Sequence, residues 1–204
     1  MLLFNQSAKE IPVSQSTRVM MSILLLFGIT SLSACSIFSP AKEPVMIEDP
    51  AEVAREAETF ADYDLPPEYE EKLVAHLAVS KALFIRSLKP RGGTSLHQVI
   101  ILMQIDNDLS LSKSEARRKI QQGLEQQMRD NNLNWKVADK THIRINGQNV
   151  LLTSYESKDE MYRPVRQTVS GVFNTDSGPA ALLLIGSVPG WDEEAIDAFI
   201  QSIR

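Results

Sequence analysis

Residues 135–155, WKVADKTHIRINGQNVLLTSY, contain a tight-turn dipeptide between two segments of β character. Asn146-Gly147 strongly favours a two-residue hairpin, because both positions tolerate the positive φ angles that such a turn requires. The flanking segments, 135–145 and 148–155, are therefore predicted to be neighbouring antiparallel strands. An antiparallel sheet is the starting point for interpreting the rest of the chain.

Further β segments are found on both sides of this hairpin. Alternating and β-branched residues predict strands at 97–105 and 163–173, and one or two strands over 73–88. The apolar run 179–188, PAALLLIGSV, is expected at the centre of the sheet, because a central strand is buried on both faces.

Three segments, 50–61, 114–131 and 192–203, have the apolar spacing of amphipathic helices. Ser112 or Ser114 can cap the second of them, in which Ile120, Leu124 and Met128 repeat every four residues. No helix signal separates the strands between 135 and 188, which argues against a doubly wound parallel sheet. The predicted fold class is α+β, with an antiparallel sheet flanked by helices.

The N-terminal segment has the features of an export signal. Arg18 precedes the uncharged run 19–32, which is too short for a comfortable transmembrane helix and fits the apolar region of a signal peptide. Leu32-Ser33-Ala34-Cys35 follows and resembles the lipobox of bacterial lipoproteins. The alternative is a signal anchor or a core helix in which Cys35 is a small buried side chain.

The lipobox resemblance implies cleavage between Ala34 and Cys35, and a Cys35 that carries diacylglycerol and a palmitate-type chain. It also implies a protein anchored in a membrane of the cell envelope. By resemblance to the lipoproteins of double-membrane bacteria, Ser36 after the cysteine implies the outer membrane, facing the periplasm. The expected organisation is a signal peptide at 1–34, a lipidated tether at 35–49 and a single α+β globular domain at 50–204.

The charge balance limits the classes of partner. The 204-residue chain has 21 basic and 26 acidic residues, a net charge of −5. Nucleic-acid binding requires a positive footprint, so no nucleic-acid partner is expected. A polybasic patch holding the domain to anionic lipid is not expected either, which leaves the lipid on Cys35 as the membrane attachment.

The end of the chain has a second resemblance. It rests on a Gly-Val-Phe segment at 171–173, the apolar run 180–185, Trp191-Asp192 and the closing 199–203 FIQSI. Together these segments resemble the PsbP-like superfamily, which includes the Mog-type proteins. Leu65-Pro66 matches the Leu-Pro that opens several members. The resemblance implies an α-β-α sandwich whose members mostly bind other proteins.

The sequence contains no recognisable catalytic or metal-binding motif. His76, His97 and His142 each stand alone, so metal-ligand spacing is absent. Lipidation of Cys35, the single cysteine, would leave no free thiol to act as a nucleophile. Gly186-Ser187-Val188-Pro189-Gly190 has the wrong spacing for a nucleophile elbow. The expectation is a protein that is not an enzyme and that has no cofactor.

One local cluster combines basic and aromatic residues. Tyr162, Arg163 and Arg166 follow one another closely, and strand alternation would place Tyr162 and Arg166 on one face and Arg163 on the other. The cluster is either an exposed sheet face or a contact for an anionic ligand or partner. The functional expectation is a non-catalytic interaction module that binds an envelope protein; the alternative is a periplasmic carrier of a small ligand or lipid.

Overall fold

A computed structural model of the chain describes residues 45–77, 80–93, 95–105, 112, 114–115, 118–119, 122, 134–159 and 162–204. The strands within these residues are β1 (Val45–Ile47), β2 (Tyr69–His76), β3 (Ser80–Ser87), β4 (Val99–Ile105), β5 (Lys136–Ile145), β6 (Gln148–Lys158), β7 (Pro164–Ser170), β8 (Phe173–Thr175) and β9 (Gly178–Ser187). The helices are α1 (Pro50–Ala57) and α2 (Glu193–Ser202), and a 3-10 turn at Val188–Gly190 precedes α2.

All nine strands belong to one sheet, and every pair of neighbours is antiparallel. Eight strands follow the order β1-β2-β3-β4-β9-β7-β6-β5, and β8 pairs with β9. β9 lies between β4 and β7, which confirms that the run at 179–188 is central. The Asn146-Gly147 hairpin is also confirmed: the two residues have φ angles of 45° and 72°, and β5 pairs with β6 from Ile145 opposite Gln148.

One face of the sheet, called here the first face, is covered by both helices. Val53 and Ala57 of α1 belong to the same buried cluster as Phe199 and Ile200 of α2. The sheet residues of this cluster alternate along the central strands, with Leu182 among them. Packing two short amphipathic helices against one sheet face buries both apolar stripes in a single core.

The opposite, second face has its own buried cluster, which includes Phe84, Ile101 and Leu183. Neither α1 nor α2 contributes a residue to it. The predicted α+β fold, an antiparallel sheet flanked by helices, is therefore wrong, and so is the α-β-α sandwich implied by the PsbP-like resemblance. The described residues form mostly one nine-stranded antiparallel sheet, in which β1 and β8 are added to the predicted strands. Helices α1 and α2 both pack on the first face of this sheet.

Two differences from the sequence analysis concern the ends of elements. β1 lies at 45–47, within the segment expected to be a tether, and pairs Val45 with His76 of β2. β7 begins at Pro164, so Tyr162 and Arg163 precede that strand. Most of the helix predicted at 114–131, including Ile120, Leu124 and Met128, lies outside the described residues. The residues of this segment that the structure does describe are helical: Ser114, Glu115, Arg118, Lys119 and Gln122.

Candidate functional site

Several connections meet at one end of the sheet, called here the loop end. They are the described residues of the β3–β4 connection (88–98), the β6–β7 turn (159–163) and the β9–α2 turn (188–192). The register brings them together, because Arg86 pairs with Val99, Lys158 with Pro164 and Val165 with Ser187. The loop end therefore collects side chains that are distant in the sequence.

Arg91, in the β3–β4 connection, is at the centre of a network that reaches the β9–α2 turn and the start of β2. Its guanidinium lies 2.8 Å from an Asp192 carboxylate oxygen and 3.4 Å from one of Glu68. It also lies over the Tyr69 ring, 5.5 Å from the centroid. Because its charge is shared between two carboxylates and an aromatic face, Arg91 fixes the relative positions of the segments that carry them.

Beneath Arg91 is a buried polar contact. The Tyr69 hydroxyl donates to the Gln98 Oε1 atom at 2.7 Å, and the Asp192 backbone N–H donates to the same oxygen at 3.3 Å. Burial raises the pKa of Tyr69 to about 12, while the nearby Arg91 acts in the opposite direction. Tyr69 is thus a neutral hydrogen-bond donor at ordinary pH. Asp192 also caps α2, accepting from the Ala195 N–H at 3.1 Å.

Two glycines let the loops meet backbone to backbone. A Cβ atom on Gly92 would lie 2.3 Å from the Gly190 nitrogen, and one on Gly190 would lie 2.5 Å from the Arg91 carbonyl carbon. Gly92 also has a φ of 66°. Beside this crossing is an open recess of about 380 Å³, lined by Arg91, Gly92 and residues 189–192. It is a shallow surface feature and not an enclosed chamber.

The first members of the predicted basic-aromatic cluster lie in the β6–β7 turn. Asp159 accepts from the Arg163 backbone N–H at 2.9 Å, and its other oxygen lies 2.6 Å from the Arg163 guanidinium. Arg163 also reaches Ser95 of the β3–β4 connection at 3.5 Å. The side chain of Tyr162, which has a φ of 60°, is 81% exposed at the tip of this turn. The closed turn thus presents an aromatic ring to solvent.

Arg166, the third member, lies within β7. It is directly opposite Glu156 of β6 and contacts one Glu156 carboxylate oxygen at 2.7 and 3.1 Å. Its guanidinium lies over the Trp191 ring, 5.3 Å from the centroid. Trp191 in turn packs against Gly186, where a Cβ atom would be 3.4 Å from the indole.

The structure thus brings Tyr162, Arg163 and Arg166 to the same end of the sheet, but each arginine is neutralised by an acid of its own strand pair or turn. Face alternation does not apply to Tyr162 and Arg163, because they are not in a strand. Sequence reasoning missed Arg91 and the role of Trp191. The available signal was Trp191-Asp192 beside a glycine turn, a pattern interpreted above only as part of the PsbP-like resemblance.

The remaining residues singled out in the sequence are Ala34, Cys35 and the three histidines. Ala34 and Cys35 lie outside the described residues. His76 lies 3.5 Å from Glu56, the His97 Nδ1 atom is 2.6 Å from the Ser87 carbonyl oxygen, and His142 is exposed on β5. Among the described residues, no three His, Cys, Asp or Glu side chains are grouped as metal ligands. No helix in that part of the chain is long and apolar enough to span a membrane.

The arrangement at the loop end supports recognition better than it supports chemistry. Its carboxylates are engaged by arginines, by backbone N–H groups or by both, and Tyr69 holds its proton. What remains accessible is an aromatic ring on a fixed turn, with paired arginines and a half-buried tryptophan beside it. No protein-family model matches the chain, and no curated protein matches it.

Proposed function

We propose that the protein is a lipid-anchored lipoprotein of a bacterial cell envelope, held in the outer membrane and facing the periplasm. We further propose that its folded domain is a non-catalytic module that binds another envelope protein through the loop end. The lipobox-like Leu32-Ser33-Ala34-Cys35 motivates the anchor. The position at which the chain enters the sheet motivates the choice of surface.

That position is the observation that carries the proposal. Val45 pairs with His76, the last residue of β2, whereas Tyr69, the first residue of β2, lies at the loop end. The N-terminal segment therefore enters the sheet on the side remote from the loop end. Nine residues, 36–44, separate Cys35 from β1 and reach about 30 Å when extended. A lipid on Cys35 would therefore hold the remote end towards the bilayer and direct the loop end away from it.

The composition of the loop end also fits a protein interface. Tyrosine, tryptophan and arginine are the residues that most often dominate binding energy at interfaces. Tyr162 is exposed on a turn held by Asp159, while Trp191 is stacked with Arg166. Since the backbone of this turn is closed and the Trp191 ring is stacked, a partner would spend little conformational entropy in ordering either of them.

Membrane fractionation tests the anchor. The wild-type chain should sediment with membranes, and Cys35→Ala should be released or remain unprocessed, because the acceptor thiol is lost. Labelling with a radioactive fatty acid should be present in the wild type and absent in the variant. Equal labelling of both proteins would refute the lipid anchor.

Photo-cross-linking in intact cells tests the surface. A benzophenone amino acid at position 162 should give a reproducible adduct with one envelope protein. The same group at Met46, which is also exposed but lies on β1, is the matched control and should not give that adduct. If the wild type is membrane-bound but position 162 yields no specific adduct, the interaction proposal fails and the carrier alternative gains support.

A further inference from the structure

β5 is the end strand of the sheet, and its outer side has no strand partner among the described residues. It is ten residues long, and eight of them are exposed. Native proteins usually shorten or cover such an edge, interrupt it with a β-bulge or place charged side chains on it, because its free N–H and C=O groups can pair with another chain. A long, accessible edge strand therefore needs either protection or a partner.

The two faces of β5 differ sharply. Ile143 and Ile145 point to the first face, where Ile145 is fully buried in the core. Lys140, His142 and Arg144 alternate with them and therefore point to the second face, where all three are exposed. Among the described residues, neither Lys140 nor Arg144 forms a salt bridge, although the chain as a whole has a net charge of −5.

The same three residues offer their backbone groups to the outer edge. In a two-residue hairpin the residues flanking the turn form a hydrogen-bonded pair, here Ile145 and Gln148. Such pairs alternate with non-hydrogen-bonded pairs along an antiparallel ladder. The N–H and C=O groups of Lys140, His142 and Arg144 consequently point away from β6. An added strand would place residues directly opposite these three side chains.

The edge is held in place before any partner arrives. At the hairpin tip, the Gln148 side chain donates to the Asn174 carbonyl oxygen at 2.7 Å and accepts from the Asn174 backbone N–H at 2.9 Å. Asn146 donates to the same carbonyl at 3.3 Å. The register is regular from Asp139 to Ile145 and shifts between Val137 and Asp139. Seven residues thus form an ordered template that ends at a β-bulge.

We propose that the edge of β5 over 139–145 binds an extended acidic segment of another protein by antiparallel strand addition. The acidic side chains of that segment would alternate, so that they lie opposite Lys140, His142 and Arg144. Main-chain hydrogen bonds would supply affinity and the charge pairs would set the register. This inference rests on the proposed function as an interaction module and names a class of partner for it, at a surface separate from the loop end.

Fluorescence anisotropy with the purified full-length chain in detergent tests the inference. The probe is a fluorescein-labelled peptide, Thr-Glu-Val-Glu-Val-Glu-Thr, in which glutamates alternate; its control has the same composition with the three glutamates contiguous. The alternating peptide should bind more tightly. The double variant Lys140→Glu/Arg144→Glu should weaken binding about tenfold or more, whereas Lys72→Glu, at an exposed lysine on β2, should have little effect.

A backbone substitution separates strand addition from simple charge attraction. His142→Pro removes an outward N–H while leaving the β5–β6 hydrogen bonds, so it should also abolish tight binding. If that variant does not fold, hydrogen exchange of the wild type decides, because the amides of residues 140, 142 and 144 should become protected when the peptide binds.

Three results would overturn the inference. They are failure of the alternating peptide to bind, equal binding of the contiguous peptide without amide protection, and charge-dependent binding to phosphatidylglycerol vesicles in place of the peptide. Each can occur with the Tyr162 adduct and the Cys35 anchor intact, so failure here is distinguishable from failure of the proposed function.

Discussion

Replacing Gly92 by alanine should destabilise the fold more than replacing its neighbour Gly93, although the two glycines have nearly the same φ, 66° and 67°. A left-handed backbone costs a residue with a Cβ atom about 1–2 kcal/mol, and both variants incur this cost. Only Gly92→Ala places its new methyl group against backbone, 2.3 Å from the Gly190 nitrogen; at Gly93 there is no atom within 4 Å. Overpacking of this kind adds about 1–3 kcal/mol.

Urea unfolding followed by tryptophan fluorescence measures the difference, since Trp191 lies beside the crossing. With an m-value of about 2 kcal/mol/M, Gly92→Ala should unfold at a urea midpoint about 0.5–1.5 M below that of Gly93→Ala. The fluorescence of folded Gly92→Ala should also change, because the β9–α2 turn must move to admit the methyl group. Equal midpoints for the two variants would refute the close backbone contact and the rigid loop end built on it.

Two further predictions concern the core and its pH dependence. Phe199→Ala should cost about 3–5 kcal/mol in a urea titration, because the ring is fully buried between α2 and the sheet; a loss below 1 kcal/mol would contradict this packing. The pKa of Tyr69 is about 12 in the folded protein, against 10.0 for an ordinary tyrosine, so folding favours the protonated form. The resulting contribution to the free energy of unfolding is complete below pH 10 and is lost as the pH rises towards 12. Tyr69→Phe should therefore show a smaller loss of stability between pH 10 and 12 than the wild type, and an equal loss in both proteins would contradict the raised pKa.

The features that the sequence predicted correctly depend on local chemistry. The Asn146-Gly147 turn needs only two residues that accept positive φ, and these fix the register of β5 against β6. The central position of β9 follows from a run of apolar residues too long for a half-exposed strand. The helix predicted at 192–203 is also local, because its apolar spacing lies within one short segment, and the structure has α2 at Glu193–Ser202.

The features that it missed depend on contacts between distant segments. β1 has three residues, too few for a periodic pattern, and exists through its pairing with β2. The side of the sheet on which a helix packs is a property of the connections, so amphipathic patterns in α1 and α2 did not show that both lie on the first face. The sequence does not distinguish Arg91 from other arginines, because its partners Glu68 and Asp192 are distant in the sequence and come close to it only in the folded protein.

The two proposed surfaces can act together only if the anchor leaves both accessible. Seven strand spacings of about 4.8 Å separate β1 from β5, so the free edge lies roughly 34 Å across the sheet from the point of chain entry. The loop end lies at the other end of β2 from that point, about 25 Å along the strand. Because residues 36–44 span about 30 Å at most, the bilayer would be nearest to the β1 corner of the domain. Both surfaces lie away from that corner, in different directions, so binding at one need not block the other.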